Sequence, residues 1–407
     1  MLSVDEIARE YLLIGLSLGE HEEGIVDSYY GPAEIRAEAR AAHASAAELR
    51  RRAAALRARL TDVTEAQRAR WLDRQMVAME TLARQLDGEQ IPYRELVELC
   101  FDASPTATPP EVYSAVRKEL ERLLPGNGPL RDRLEAHDVA LTVPVDKLSG
   151  VVEWLINELR SAAREAFFVP SRESLTISLV KNEPWGAYNW YDGNLHSRIE
   201  VNTDLPVRAM GLIGLFAHEG FPGHHLEHST KEAVLVRDQG RLESSVQLIN
   251  TPEAFISEGL ADTGVRFVAP EKRWQELLLG ICDRAGIPMT GEQAHLEWKI
   301  KCALENLRGV QGDAALQLHE QGRSEGEVVA FAEQNGLVTR ERALKGLEFI
   351  THPLWRAYVF CYAGGEELLT SWIGQAGSEE GERQRFGRLL SEQLTPSGIA
   401  QEVGRSA

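Results

Sequence analysis

The sequence predicts a mainly α fold with a short antiparallel β-sheet. Three observations carry this expectation. Apolar residues recur at spacings of three and four through most of the 407-residue chain, β-branched alternation is confined to residues 175–202, and Gly/Pro breakers separate the helical stretches. The composition, 43% hydrophobic and 26% charged, belongs to an ordinary globular chain able to bury a sizeable core.

In the first third, Ile7, Ala8, Tyr11, Ile14, Gly15 and Leu18 form one helical stripe. Leu49, Ala53, Leu56, Leu60 and Val63 form a second, which leaves Arg50, Arg51, Arg52, Arg57 and Arg59 mostly on the other faces. Breakers at 104–110, at 125–129 and around Pro144 predict helices over 64–88, 109–124 and 147–168. The last of these would bury Val152, Leu155, Ile156, Leu159 and Ala163. The period then changes: 175–181 (LTISLVK) alternates, while 185–191 and 195–202 flank the turn signal Asp192-Gly193. These predict a small antiparallel sheet, the only strands expected, and helices resume after Pro206. The chain thus divides into an N-terminal helical region (1–143) and a region carrying the sheet (144–407), expected to form one compact unit.

Lys plus Arg number 44 against 62 Asp plus Glu, a net charge of -18, which argues against nucleic acid or an anionic membrane as partner. The arginine run at 50–59 therefore reads as a solvated helix face. No apolar stretch approaches the ~18 residues of a membrane span. Asp5, Glu6 and Glu10 stand where a secretory signal would carry positive charge, so the expected compartment is the cytoplasm. Cys100, Cys282, Cys302 and Cys361 lack C-x-x-C spacing, which excludes a thiolate zinc knot, and nothing in the pattern specifies an oligomer.

Residues 218–228 hold four of the chain's 11 histidines, where about 0.3 would fall by chance. The segment reads His218-Glu219-Gly220-Phe221-Pro222-Gly223-His224-His225-Leu226-Glu227-His228 and follows an apolar helical run. Polar groups ending a buried helix need partners, and a ligated metal supplies them. The nearest template is H-E-x-x-H, two histidines one turn apart on zinc with a glutamate that activates water. Here Pro222 occupies the second histidine's place. In an unbroken helix, position +6 would lie about 240° around the axis and +7 about 10.5 Å along it. Pro222 and Gly223 predict a kink or bulge that can bring His224 back toward His218. A third ligand is expected from the helix opened by Thr251-Pro252-Glu253, where Glu258 and Asp262 stack one turn apart. One of them would bind metal and the other would orient a ligating histidine.

The segments FAHEGFPGHHLEH and ISEGLAD resemble the H-E-x-x-P-G-H and E-G-x-A-x-[YD] motifs of the bacterial domain of unknown function 885 family. That family is similar to the helical gluzincin metallopeptidases, which include angiotensin-converting enzyme and the Taq-type carboxypeptidases. The resemblance covers about residues 185–370 and implies a gluzincin-like helical metallopeptidase with a short antiparallel β-sheet and a central cleft between helical halves, holding one Zn2+ per chain. It implies His218, His224 and Glu258 as ligands, with His225 the alternative to His224, Glu219 as general base and Asp262 supporting a zinc histidine. It places a substrate-binding edge strand at 196–202, including His196 and Arg198. Near the C-terminus it implies Tyr362 and His352 as oxyanion donors, with Tyr358 and Arg356 as substrate contacts. The expected activity is hydrolysis of short peptides by an exopeptidase of carboxypeptidase or dipeptidase type; the alternatives are a metal-dependent hydrolase of a non-peptide amide or ester and a catalytically inactive, metal-stabilised binding protein.

Overall fold

The computed structural model describes residues 4–183 and 185–404. The N-terminal third comprises α1 (Val4–Gly19), β1 (Val26–Tyr29), α2 (Ala33–Ala42), α3 (Ala46–Arg57), α4 (Ala66–Leu86), α5 (Tyr93–Phe101), α6 (Pro110–Leu123) and α7 (Leu130–Ala140). The middle comprises α8 (Val145–Ala166), β2 (Ser174–Val180), β3 (Ala187–Gly193), β4 (His196–Asn202), α9 (Ala209–Glu219), α10 (His224–Lys231), β5 (Val246–Leu248) and α11 (Pro252–Val268). The remainder is helical: α12 (Glu271–Ala285), α13 (Gly291–Glu305), α14 (Val310–His319), α15 (Glu325–Gly336), α16 (Arg340–Thr351), α17 (Val359–Gly374), α18 (Glu379–Ser391) and α19 (Pro396–Glu402).

The helical stripes read from the sequence are the buried ones. Ile7, Tyr11, Ile14 and Leu18 of α1 and Val152, Leu155, Leu159 and Ala163 of α8 are all buried. The three long predicted helices fall on α4, α6 and α8, each within two residues at its ends.

The strands depart from expectation in two ways. First, the sheet is mixed. Its order is β2-β4-β3, with β4 antiparallel to β3 and parallel to β2, from Ser174 opposite His196 to Val180 opposite Asn202. The parallel pairing arises because β2 is not joined to β3 by a hairpin. Second, β1 and β5 form an antiparallel ribbon pairing Val26 with Leu248. At four and three residues these strands are too short to show alternation.

Two apolar cores meet along α11. One gathers α1, α3, α4 and α5 with β5, α14 and Ala254 and Phe255 of α11. The other gathers α8, α9, α12, α18 and Ile256 and Leu260 of α11. The first core takes residues from both sides of position 143, so the two expected regions share it.

α11 and α17 approach to backbone contact. A Cβ on Gly259 would lie 2.5 Å from the carbonyl carbon of Gly365, and one on Gly365 would lie 2.7 Å from the Phe255 oxygen. Gly259→Ala is therefore expected to push the helices apart and cost about 1–3 kcal/mol. A lowered thermal midpoint checks this, and an unchanged one would mean that α17 shifts freely.

Candidate metal centre

The apolar side chains Leu212, Ile213, Phe216 and Ala217 bury one face of α9 and fix its rotation. The helix stops at Glu219 because the following residues turn back on it: Gly220 and Phe221 N–H both donate to the Phe216 carbonyl, and Gly223 N–H donates to that of Ala217 at 2.9 Å. Only glycine fits at 223, since a Cβ there would lie 1.8 Å from the His218 carbonyl oxygen. The expected kink is thus a complete break, and α10 begins afresh at His224.

The break brings the two rings together, with His218 Nε2 and His224 Nε2 3.1 Å apart. Glu258 Oε2 stands 3.4 Å from His218 Nε2, and Oε1 stands 3.8 Å from His224 Nε2. Ligand bonds of 2.0–2.1 Å at tetrahedral angles space their donor atoms about 3.2–3.5 Å apart. The His218–Glu258 spacing falls inside that range, and the other two lie within 0.3 Å of it.

Hydrogen bonding fixes which ring atoms face inward. His218 Nδ1 lies 3.0 Å from Asp262 Oδ1, and an ionised carboxylate only accepts, so that nitrogen carries the proton. Ser257 donates its single hydroxyl proton to Glu227 Oε2 at 2.5 Å. It must then accept at His224 Nδ1, 3.1 Å away, which is protonated too. Were both rings neutral, each would aim an Nε2 lone pair at the other, so a positive species, a proton or a metal ion, belongs between them. The Tyr358 hydroxyl donates to Glu258 Oε1 at 2.7 Å, while buried Oε2 has no hydrogen-bond donor. The donor set fits a divalent metal of the zinc type.

The electrostatics agree. Burial opposes charge on His218, but the Asp262 and Glu258 carboxylates outweigh it and raise its pKa well above the ordinary value. Burial likewise works against ionised Glu258, yet His218 and His224 hold its pKa below normal. Glu219 is displaced upward: burial raises it, the two histidines pull against this, and negative Glu258 and Asp27 add to the rise. The site is tight, with the His218 and His224 side chains 18% and 13% exposed. Two surface hollows, about 700 Å³ beside Tyr29, Arg36 and Arg40 and about 420 Å³ beside Arg160, Arg164 and Glu173, lie elsewhere.

Other expected residues fall as follows. His225 is fully buried with Nδ1 2.8 Å from Ser197 Oγ and Nε2 3.1 Å from Glu173 Oε2, so neither nitrogen is left for a metal and the alternative ligand is ruled out. Tyr358 serves Glu258 rather than a substrate. Tyr362 packs edge-on against it at 5.8 Å, and burial, with negative Glu258 next, holds its hydroxyl neutral. His352 is exposed at the end of α16, where its Nδ1 accepts from Leu354 N–H at 3.2 Å, and none of its described contacts reaches the cluster. The Arg356 charge is felt at Tyr93, Cys100 and His319, and its backbone carbonyl accepts from the Tyr93 hydroxyl at 2.5 Å.

The expected edge strand is corrected outright. β4 lies in the middle of its sheet, so its backbone is already paired on both sides. His196 Nδ1 lies 2.9 Å from Ser174 Oγ, and Arg198 is ion-paired with Asp192 at 2.7 Å on the exposed face.

Several residues of the site escaped sequence reasoning. Asp27 of β1 accepts from the Tyr188 hydroxyl, and its charge is felt at His224 and Glu258. Arg308 reaches Asp262 Oδ2 at 3.8 Å and Glu366 at 2.5 Å. Both arrive from distant chain segments and leave no local signal. Ser257 and Glu227, by contrast, sit beside or one turn from expected ligands, with Lys231 one turn beyond Glu227, and were open to an i, i+3, i+4 search.

The sequence matches no family model and no curated protein. Its structure is similar to that of a "putative lipoprotein" from Colwellia psychrerythraea, with a TM-score of 0.54 and 16% identity over 88% of this chain and 66% of that one. It is also similar to a "putative lipoprotein of unknown function" from Shewanella oneidensis, with a TM-score of 0.55 and 12% identity over 94% of this chain and 80% of that one. The chain thus spans just under two thirds of the Colwellia structure, and at these identities the likeness concerns the fold alone. No helix among the described residues is long and apolar enough to cross a membrane.

Proposed function

We propose that this chain is a zinc-dependent metallopeptidase of gluzincin-like fold that trims short peptides. The observation that carries the proposal is the convergence of two imidazole Nε2 atoms 3.1 Å apart with Glu258 Oε2, next to the buried carboxyl group of Glu219. The resemblance of HEGFPGHH and ISEGLAD to the domain of unknown function 885 motifs supports the same reading.

His218, His224 and Glu258 would hold zinc, which when bound supplies Lewis-acid polarisation of a carbonyl and of water. The chain's own groups supply the rest. Glu219 takes the proton of the attacking water and returns it to the leaving amine, and its raised pKa suits a group that must both accept and donate. Tyr362, neutral because it is buried, donates to the developing oxyanion. Asp262 orients His218 and Tyr358 orients Glu258. With β4 enclosed, the strand proposed for an extended peptide is β3, a sheet edge whose Asn189 Nδ2 donates to the Glu219 carbonyl at 2.5 Å. The low exposure of the His218 and His224 side chains favours chain ends over the middle of a long chain, hence an exopeptidase of carboxypeptidase or dipeptidase type.

The test is digestion of a mixed library of short peptides by zinc-loaded protein, read by mass spectrometry beside a panel of esters and non-peptide amides. Removal of one or two residues from a chain end is expected. Turnover of the esters or non-peptide amides alone would overturn the peptidase assignment.

A further inference from the structure

Behind His224 lies a line of buried charge that the proposed reaction does not use. Glu227 is fully buried; its Oε2 accepts from Ser257, and its Oε1 accepts from Lys231 Nζ at 2.7 Å. Lys231, also buried, bonds in turn to Glu253 Oε1, and Glu253 Oε2 accepts from Trp71 Nε1 on α4 at 2.7 Å. A lysine between two glutamates leaves one negative charge in the protein interior, and such a triad is an uneconomical way to pack a core. Its excess charge abuts Ser257 and, through it, the one edge of His224 that does not face His218.

His224, Glu227 and His228 also form a second group of possible metal ligands. That site does not fit. Both Glu227 oxygens are committed, and the Lys231 ammonium beside them repels a cation. His224 Nδ1 is committed to Ser257 as well.

We infer that Glu227, acting through Ser257, is the positioning residue that fixes the tautomer and orientation of His224, and that Lys231, Glu253 and Trp71 anchor it to the N-terminal helices. The inference rests on the metal-site reading above. Physically, the Glu227 carboxylate accepts the hydrogen bond of the Ser257 hydroxyl, which leaves the serine oxygen's lone pairs to accept from His224 Nδ1–H and leaves Nε2 bare. Without the carboxylate, Ser257 is free to donate to Nδ1, and the proton moves to Nε2, where it blocks the ligand atom. A lysine held by two carboxylates keeps Glu227 ionised and still.

Two readouts test this: the ¹⁵N ring shifts of His224 in the metal-free protein, followed upward in pH until the ring is neutral and assigned with His224→Gln, and zinc affinity by chelator competition. The wild type should show the Nδ1–H tautomer. Ser257→Ala and Glu227→Gln should show an Nε2–H population and bind zinc ~10–100-fold more weakly, while Ser257→Thr keeps both properties. An Nε2–H tautomer in the wild type, or variants with wild-type tautomer and affinity, would overturn the inference. A wild type that binds no zinc would instead sink the metal-site reading, and the tautomer measurement would still decide the role of Glu227. Because the wild-type spectrum can overturn the inference by itself, a variant that fails to fold does not remove the test.

Discussion

Glu219→Gln should retain zinc and lose at least ~10²-fold in turnover. The amide keeps the side-chain volume at a buried position between the histidines and the β3 residue Asn189, so neither the fold nor the ligand spacing has reason to change. What disappears is a site for the water's proton. The raised pKa of Glu219 follows first from burial, which the amide shares, whereas the pull of His218 and His224 acts only on the ionised acid. Steady-state kinetics alongside metal analysis checks the variant. Normal turnover with full metal content would remove Glu219 from the chemistry.

The two tyrosines of the C-terminal segment should separate cleanly. Tyr358→Phe deletes the hydroxyl that holds Glu258 Oε1, so it is expected to weaken zinc binding ~10–100-fold. Tyr362→Phe deletes a hydroxyl beside the cluster that does not hold a ligand. It should keep the metal and lower kcat by ~10²–10³ with little change in KM, the pattern of a donor used mainly in the transition state. Chelator competition and kinetics on both variants check the pair. A metal defect in Tyr362→Phe with a turnover defect in Tyr358→Phe would exchange their roles.

The division between what was legible in the sequence and what was not follows the range of the interactions. The stripes of α1 and α8 were readable because burial of a helix face imposes a period of 3.6 residues. The break at Pro222-Gly223 was readable for a local reason too, a missing amide beside a residue without Cβ. Its consequence, the 3.1 Å meeting of His218 and His224, follows from that local geometry. The parallel pairing of β2 with β4 was hidden because alternation gives the faces of a strand and says nothing of its neighbours. For the same reason 196–202 passed for an edge. His352 was placed by its distance along the chain from Tyr362 and Arg356 by its charge, but residues 352–358 are a cap and a turn, so no helical face carries them to the site. Asp27 and Arg308 arrive through tertiary packing alone.

Metal content measured on the purified protein after zinc loading and dialysis, with His218→Ala and His224→Ala beside the wild type, reaches the central claim most directly. Two imidazoles and one carboxylate make a single site, so one zinc per chain is predicted for the wild type and none for either variant. A wild type that releases its zinc on dialysis, or a His224→Ala protein that keeps it, would contradict the assignment of His218, His224 and Glu258 as a metal centre.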